Sequence, residues 1–208
     1  MASGPDDDDA TITTRERILR AASHAFARKG YAATSTREIA DAVQIRQPSL
    51  FHHFATKADI MKELLSHSLD EPTAVAERAA ATEGPAADRL YDYLVFDIVH
   101  IVGSPYALGG LHDDDVMELP EFGAWHALRD RLRAAREAMV AQGIAAGEFV
   151  DVGVAFATLV LTSVIRGATT VYSGAIPADP ELATRIAGYA LRGLLVDPGA
   201  LNGPGAPR

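Results

Sequence analysis

Apolar residues recur at steps of three and four along almost the whole chain, and no stretch alternates with the period of two expected of a half-buried strand. That pattern predicts an all-α fold of about nine helices. Thr13 and Glu16 have capping-box spacing at the start of a first helix. Ile18, Ala22, Ala25 and Phe26 share one face of it, and Gly30 is placed to stop it. Ser35 and Glu38 form a second capping box, opening a short helix through Val43 with Ile39 and Val43 inward. Gln47 to Phe54 reads as another short helix, with Pro48 in the first turn, where an N–H would have no partner. Thr56 with Asp59 caps a fourth helix, apolar at Ile60, Leu64 and Leu65 and expected to end at Glu71-Pro72.

Further along, a helix is expected over residues 86–102 and a loop or broken helix over 106–119. A long helix starts with Pro120 in its first turn, carries Trp125, Leu128, Leu132, Ala135 and Met139 on one stripe, and closes at Gly143 and Gly147. Residues 152–172 form an apolar helix rich in small residues. Asp179 and Pro180 open a last helix, apolar at Leu182, Ile186, Tyr189, Ala190 and Leu194. The tail after Pro198 has the composition of a disordered segment.

Composition removes several function classes. The chain of 208 residues has no cysteine, which excludes disulfide scaffolds, thiolate zinc sites and thiol nucleophiles. Its longest apolar stretch, 152–165, is shorter than the roughly 20 residues a bilayer span needs. The start of the chain has no signal-peptide pattern, so a cytosolic protein is expected. No glycine-rich phosphate loop, nucleophile elbow or His-Glu-x-x-His pattern is present, and no enzyme or cofactor is implied. The net charge is -9, but it is unevenly spread. Residues 11–70 carry nine Lys and Arg against six Asp and Glu, whereas 71–208 carry ten against eighteen. A basic N-terminal segment on an acidic body is the asymmetry of a polyanion-binding module.

The stretch from Thr34 to Lys57 has the layout of a helix-turn-helix, whose second helix enters a DNA major groove. Its inward positions, Ile39, Val43, Ile45, Leu50 and Phe54, are apolar. Its outward positions, Arg46, Gln47, Ser49, His52 and His53, all carry hydrogen-bonding groups suited to bases or phosphates. On pattern alone, a helical hairpin with a solvated face fits as well.

Residues 13–65 resemble the N-terminal domain of the tetracycline-repressor (TetR) family of transcription regulators. The run Thr34 to Val43 is similar to that family's second helix, Ile45 to Phe54 to its turn and recognition helix, and Ala55 to Ile60 to the start of its fourth helix. Two departures stand out: Arg46 where a small capping residue is common, and Phe51 where tyrosine is usual. The resemblance implies an acidic tail over 1–12, a DNA-binding domain over 13–70, a ligand-binding and dimerisation domain over 71–198 and a second tail over 199–208. It implies that Gln47 and Ser49 contact base edges, that Pro48 packs on a thymine methyl, and that Arg46 reaches guanine or phosphate. His52 would touch a base or backbone, His53 and Lys57 phosphate, and Ser35 and Thr36 the backbone at a helix start, with Phe51 beside them.

One such helix reads few base pairs, so a homodimer on an inverted repeat of double-stranded DNA is implied. The last two helices are the candidate interface, with Gly153, Leu159, Ser163, Arg166, Gly167, Ile186, Tyr189 and Leu194; the alternative is that 152–172 is the buried centre of a monomer. The family resemblance further implies a small-molecule effector that shifts the population between two head spacings. Phe96, His100, Tyr106, Met117, Phe122, Trp125 and His126 are the candidate lining of an apolar site, each being otherwise core or surface. Arg166, alone in an apolar helix, is expected to find a structural partner. His112 with Asp113 to Asp115, like Asp6 to Asp9, reads as a solvated acidic run rather than a metal site, and Arg129, Arg131, Arg133 and Arg136 read as an exposed helix surface. A DNA-binding factor without ligand control and an unrecognised all-α enzyme are the competing readings.

Overall fold

The Glu16 amide donates to the Thr13 hydroxyl (3.2 Å) and the Glu16 carboxylate accepts the Thr13 amide (2.8 Å), closing the expected capping box of α1, Thr14–Lys29. This computed structural model describes residues 12–108, 111, 114–172, 180–197 and 199. The expectations for Asp6–Asp9, His112–Asp113, Asp179 and residues 200–208 lie outside the described residues, as do the side chains of Asp114 and Asp115. Gly30, at φ 85, stops α1 with its amide on the Phe26 carbonyl (2.8 Å). The second capping box is only half formed. Ser35 accepts the Glu38 amide at the start of α2, Thr36–Ala42, but the Glu38 carboxylate turns to Lys29. α3 spans Gln47–His53, and the Thr56/Asp59 box opens α4, Lys57–Ala81.

α4 does not end at Glu71-Pro72. It passes through Pro72, whose ring removes one backbone bond, a loss of about 3 kcal/mol in a free helix. The compensation is tertiary: Leu64, Leu65, Leu69, Pro72 and Ala76 form one continuous buried stripe, and α4 packs along α7. α4 therefore belongs to both the N-terminal unit and the body.

The body adds α5 (Ala86–Val102), the four-residue α6 (Asp114–Met117), a 3-10 turn (Pro120–Phe122), α7 (Gly123–Ala145), α8 (Val154–Tyr172) and α9 (Pro180–Arg192). α5 packs on α7, α8 and α9, placing Leu90, Tyr93, Leu94 and Ile98 at the centre. The N-terminus of α5 has no side-chain cap of its own. Glu148 supplies one from the far end of α7, accepting the amides of Ala86 (3.1 Å) and Ala87 (2.7 Å). Gly143 lies inside α7 rather than closing it. A Cβ there would stand 2.1 Å from the Phe149 ring, so the glycine lets the chain fold back on its own helix. Among the described residues the only pairing of strand type is the isolated bridge between Phe149 and Leu195.

Candidate nucleic-acid interface

The α2–α3 unit is held from beneath. Ile39, Val43, Leu50 and Phe54 are buried with Ile18, Phe26 and Ile60, and Ile45 is partly buried against them. The turn between the helices places Gln44 at φ 60, and the Ile45 amide bonds back to the Ala40 carbonyl (3.0 Å). Arg17 reaches across from α1 to the Val43 carbonyl (2.9 Å), and Arg15 lies 4.2 Å over the Phe54 ring. These contacts fix α3 on its inner side and leave the outer side open.

Arg46, Pro48, Phe51, His52 and His53 are exposed, while Gln47 and Ser49 are half-buried on the same rim. Arg46 is the N-cap of α3 yet makes no capping bond, so its guanidinium is not tied to its own helix. The Gln47 amide nitrogen donates to the Thr36 hydroxyl (2.8 Å), bracing the side chain between the two helices. One amide N–H and the carbonyl oxygen remain for a base edge, the pair of groups adenine matches. Ser35 is exposed at the start of α2 beside exposed Arg37, a base that sequence reasoning did not place here.

Lys57 has a second task. Its ammonium donates to the carbonyls of Tyr31 (2.8 Å) and Thr34 (2.9 Å) and lies 4.2 Å over the Tyr31 ring. It thus pins the α1–α2 loop to the start of α4, and replacing it disturbs that loop as well as any phosphate contact. Burial lowers the Lys57 pKa against the opposing charge of Glu121. Tyr31 in turn packs edge-on to Phe26 and Phe122 and donates to Glu121 at 3.5 Å, joining the α1–α2 loop to the Pro120–Phe122 turn of the body.

The Tyr31 phenol is pushed up to about 12 from 10.0, first by burial and then by the Glu121 carboxylate. A folded pKa above the unfolded one contributes stability that is complete below pH 10 and lost as pH rises toward 12. Tyr93, also raised by burial, acts in the same sense, and Lys57 acts in the opposite sense. The urea midpoint is expected to fall across that window and Tyr31→Phe to flatten the fall; an unchanged slope in the variant excludes Tyr31 as a source.

The seven residues expected to line a ligand site lie on α5, in the segment 103–122 and at the start of α7. Phe96 stacks on His100, and His100 bonds through Nε2 to the His67 carbonyl (2.9 Å) with Glu71 3.8 Å from its other nitrogen. Tyr106 packs on the His67 ring. Met117 and Phe122 are buried, Trp125 donates to Ser66 of α4 (3.1 Å), and His126 faces Asp130 on its own helix (3.7 Å). Trp125 joins α7 to α4 and His100 joins α5 to α4, whereas Phe96 and His126 also contact residues of their own helices. A cavity lies elsewhere, between Leu90 and Leu94 of α5, Arg136 and Val140 of α7, and Thr158, Leu161, Thr162 and Ile165 of α8, with a volume of about 10 Å³, room for one water.

Arg136 is not on an exposed surface. It points inward, donating to the Tyr93 hydroxyl (2.9 and 2.6 Å) and to Asp97 (2.8 Å), which is 3% exposed. Burial opposes its charge, but Tyr93 and Asp97 outweigh that and raise its pKa. Its spacing from Leu132, Met139 and Val140 on the inward stripe was a readable signal.

Of the candidate interface residues, Gly153, Leu159, Ser163, Arg166, Gly167 and Tyr189 are exposed and Ile186 is partly buried. Leu194 is buried in the chain's own core, because its segment returns to pair with Val150, so it does not share that outer face. α8 is apolar on two sides. Ala157, Leu161 and Ile165 face inward, while Phe156 (59% exposed) and Leu159 (63%) stand outward beside Val160. Among the described residues no helix is long and apolar enough to cross a membrane, and no group of side chains could hold a metal ion.

Residues 18–64 match the family model described as bacterial regulatory proteins, tetR family. The chain is 33% identical to AmtR of Mycobacterium smegmatis, with 93% of this chain and 89% of that one superposing at a TM-score of 0.75. It is 28% identical to the HTH-type transcriptional repressor KstR2 of Rhodococcus jostii (strain RHA1), over 73% of this chain and 76% of that one. A higher identity, 38%, to KstR2 of Mycolicibacterium smegmatis spans only 32% of that relative's length.

Proposed function

Since the chain belongs to the tetR family of bacterial regulatory proteins, we propose that it is a homodimeric, sequence-specific DNA-binding regulator, a repressor released from its operator by a small, largely apolar effector. The observation that carries the DNA-binding half is the rim of α3, where Gln47 is braced on Thr36 above a buried Leu50 and Phe54. In this reading Gln47 and Ser49 read bases and Pro48 packs on a thymine methyl. Arg46, His52, His53, Ser35, Thr36 and Arg37 face bases or phosphates around them, and Lys57 acts through the loop it pins.

A single helix of seven residues reads one half-site, so the reading requires two heads about 34–36 Å apart. The outward Phe156, Leu159 and Val160 of α8 with Tyr189 of α9 support pairing of two copies, since a second apolar patch opposite the buried side of a helix gains from cover. The free dimer holds the operator, and an effector with higher affinity for a different head spacing shifts the population away from it.

Selection from a random DNA pool is expected to enrich an inverted repeat. Gln47→Ala is expected to reduce the preference for the enriched sequence over scrambled DNA by about 1–3 kcal/mol while leaving the salt slope unchanged. Equal losses on both sequences would remove the base-reading role, and a pool that enriches nothing would remove the regulator reading.

A further inference from the structure

One side chain on the outer rim of α3 differs in chemistry from those around it. α3 turns Leu50 (0% exposed) and, just past its end, Phe54 (3%) into the core, whereas Phe51 stands 44% exposed. Arg46, Gln47, Ser49, His52 and His53 on the same rim all carry hydrogen-bonding groups. Gln47 and Pro48 precede Phe51 by four and three residues, so the three share one face of the helix. That face is held in place by the bond from the Gln47 amide to the Thr36 hydroxyl (2.8 Å). A phenyl ring has neither donor nor acceptor and makes no hydrogen bond to a phosphate or a base edge. The apolar group that a base pair presents in the major groove is the C5 methyl of thymine, and phenylalanine is among the side chains that contact it.

We infer that Phe51 is a specificity-determining residue that packs on the C5 methyl of a pyrimidine, so that each head requires a methylated pyrimidine at one position of its half-site. The inference rests on the regulator reading above and deepens its DNA-binding half, giving Phe51 a base of its own beside those of Gln47 and Pro48. Three residues advance about 4.5 Å along a helix and one base step advances about 3.4 Å, so Phe51 meets a base pair next to the one under Pro48. The ring reads the methyl group and not the hydrogen-bonding edge. Thymine and 5-methylcytosine therefore present the same group to it, and uracil and cytosine lack that group.

The test uses the full chain and the inverted repeat enriched from the random pool, with each thymine replaced in turn by deoxyuridine, which removes the methyl and keeps the hydrogen-bonding groups. At one position per half-site the replacement is expected to weaken binding about fourfold, the loss of one buried methyl, and about fifteenfold when both half-sites carry it. Phe51→Ala, a change at an exposed position that leaves folding intact, is expected to bind the thymine and uracil operators equally there. Phe51→Leu is expected to keep most of the preference. With cytosine at that position, 5-methylation is expected to tighten binding of the parent about fourfold and to leave Phe51→Ala unchanged. Equal binding of the thymine and uracil operators at every position, or a preference that Phe51→Ala retains, overturns the inference while the enriched operator keeps the regulator reading standing. A pool that enriches nothing removes both.

Discussion

Asp97→Ala is expected to lower stability by about 3–5 kcal/mol, because it strands a buried guanidinium among aliphatic side chains. Asp97 and Arg136 join α5 to α7 at 2.8 Å, with Tyr93 on the same guanidinium, all three near the centre of the body. Removing the acid leaves the half-buried Arg136 with one neutral acceptor, the Tyr93 hydroxyl. Asp97→Asn keeps an acceptor and is expected to lose less. The double change Asp97→Leu with Arg136→Met removes both charges and is expected to recover most of the loss, since an apolar replacement of a buried pair is often neutral. Urea unfolding of the three variants gives the comparison; equal stability of Asp97→Ala and the parent would mean that the pair is solvated in the native state.

The second large effect concerns α8. Leu159→Glu places a charge at a position 63% exposed in the single chain, so folding of the chain itself is expected to survive. If two copies meet on this face, two carboxylates become buried against apolar surface and the dimer dissociates. Operator affinity is then expected to drop by about 10²–10⁴, the gain that linking two half-site contacts provides. Sedimentation of parent and variant, beside operator titrations, decides it. A variant that stays dimeric would place the subunit contact elsewhere, and a monomeric parent would remove the homodimer reading.

The DNA-binding unit was legible because local chemistry determines it. Thr13 with Glu16 and Thr56 with Asp59 announce helix starts by side chain alone, and Gly30 announces a stop. The body was less legible because its rules are tertiary. Pro72 signals a helix end, yet burial of the stripe on either side of it carries α4 onward. Gly143 signals another end, yet it serves a close approach by Phe149. Arg136 sits in a charged run, and only its register with Leu132 and Met139 shows that it points inward. Among the aromatic residues near the 103–119 segment, Trp125 joins α7 to α4 and Phe122 packs on Trp125, contacts that composition does not show. The small cavity is lined by ordinary aliphatic residues and two threonines spread over three helices, a pattern with no local signature.

Trp125 is the single tryptophan of the chain, and its indole N–H is bonded to Ser66 where α7 begins to run along α4. The emission of an indole depends on the polarity and hydrogen bonding around it. The chain consequently carries one intrinsic fluorophore on the seam between the helix that leaves the DNA-binding unit and the longest contact that helix makes with the body. A shift of α4 against α7 would change its emission maximum and its quenching by iodide without any label. Unfolding of α8 or α9 alone would leave both unchanged, so its spectrum separates rearrangement at that seam from loss of structure at the far side of the body.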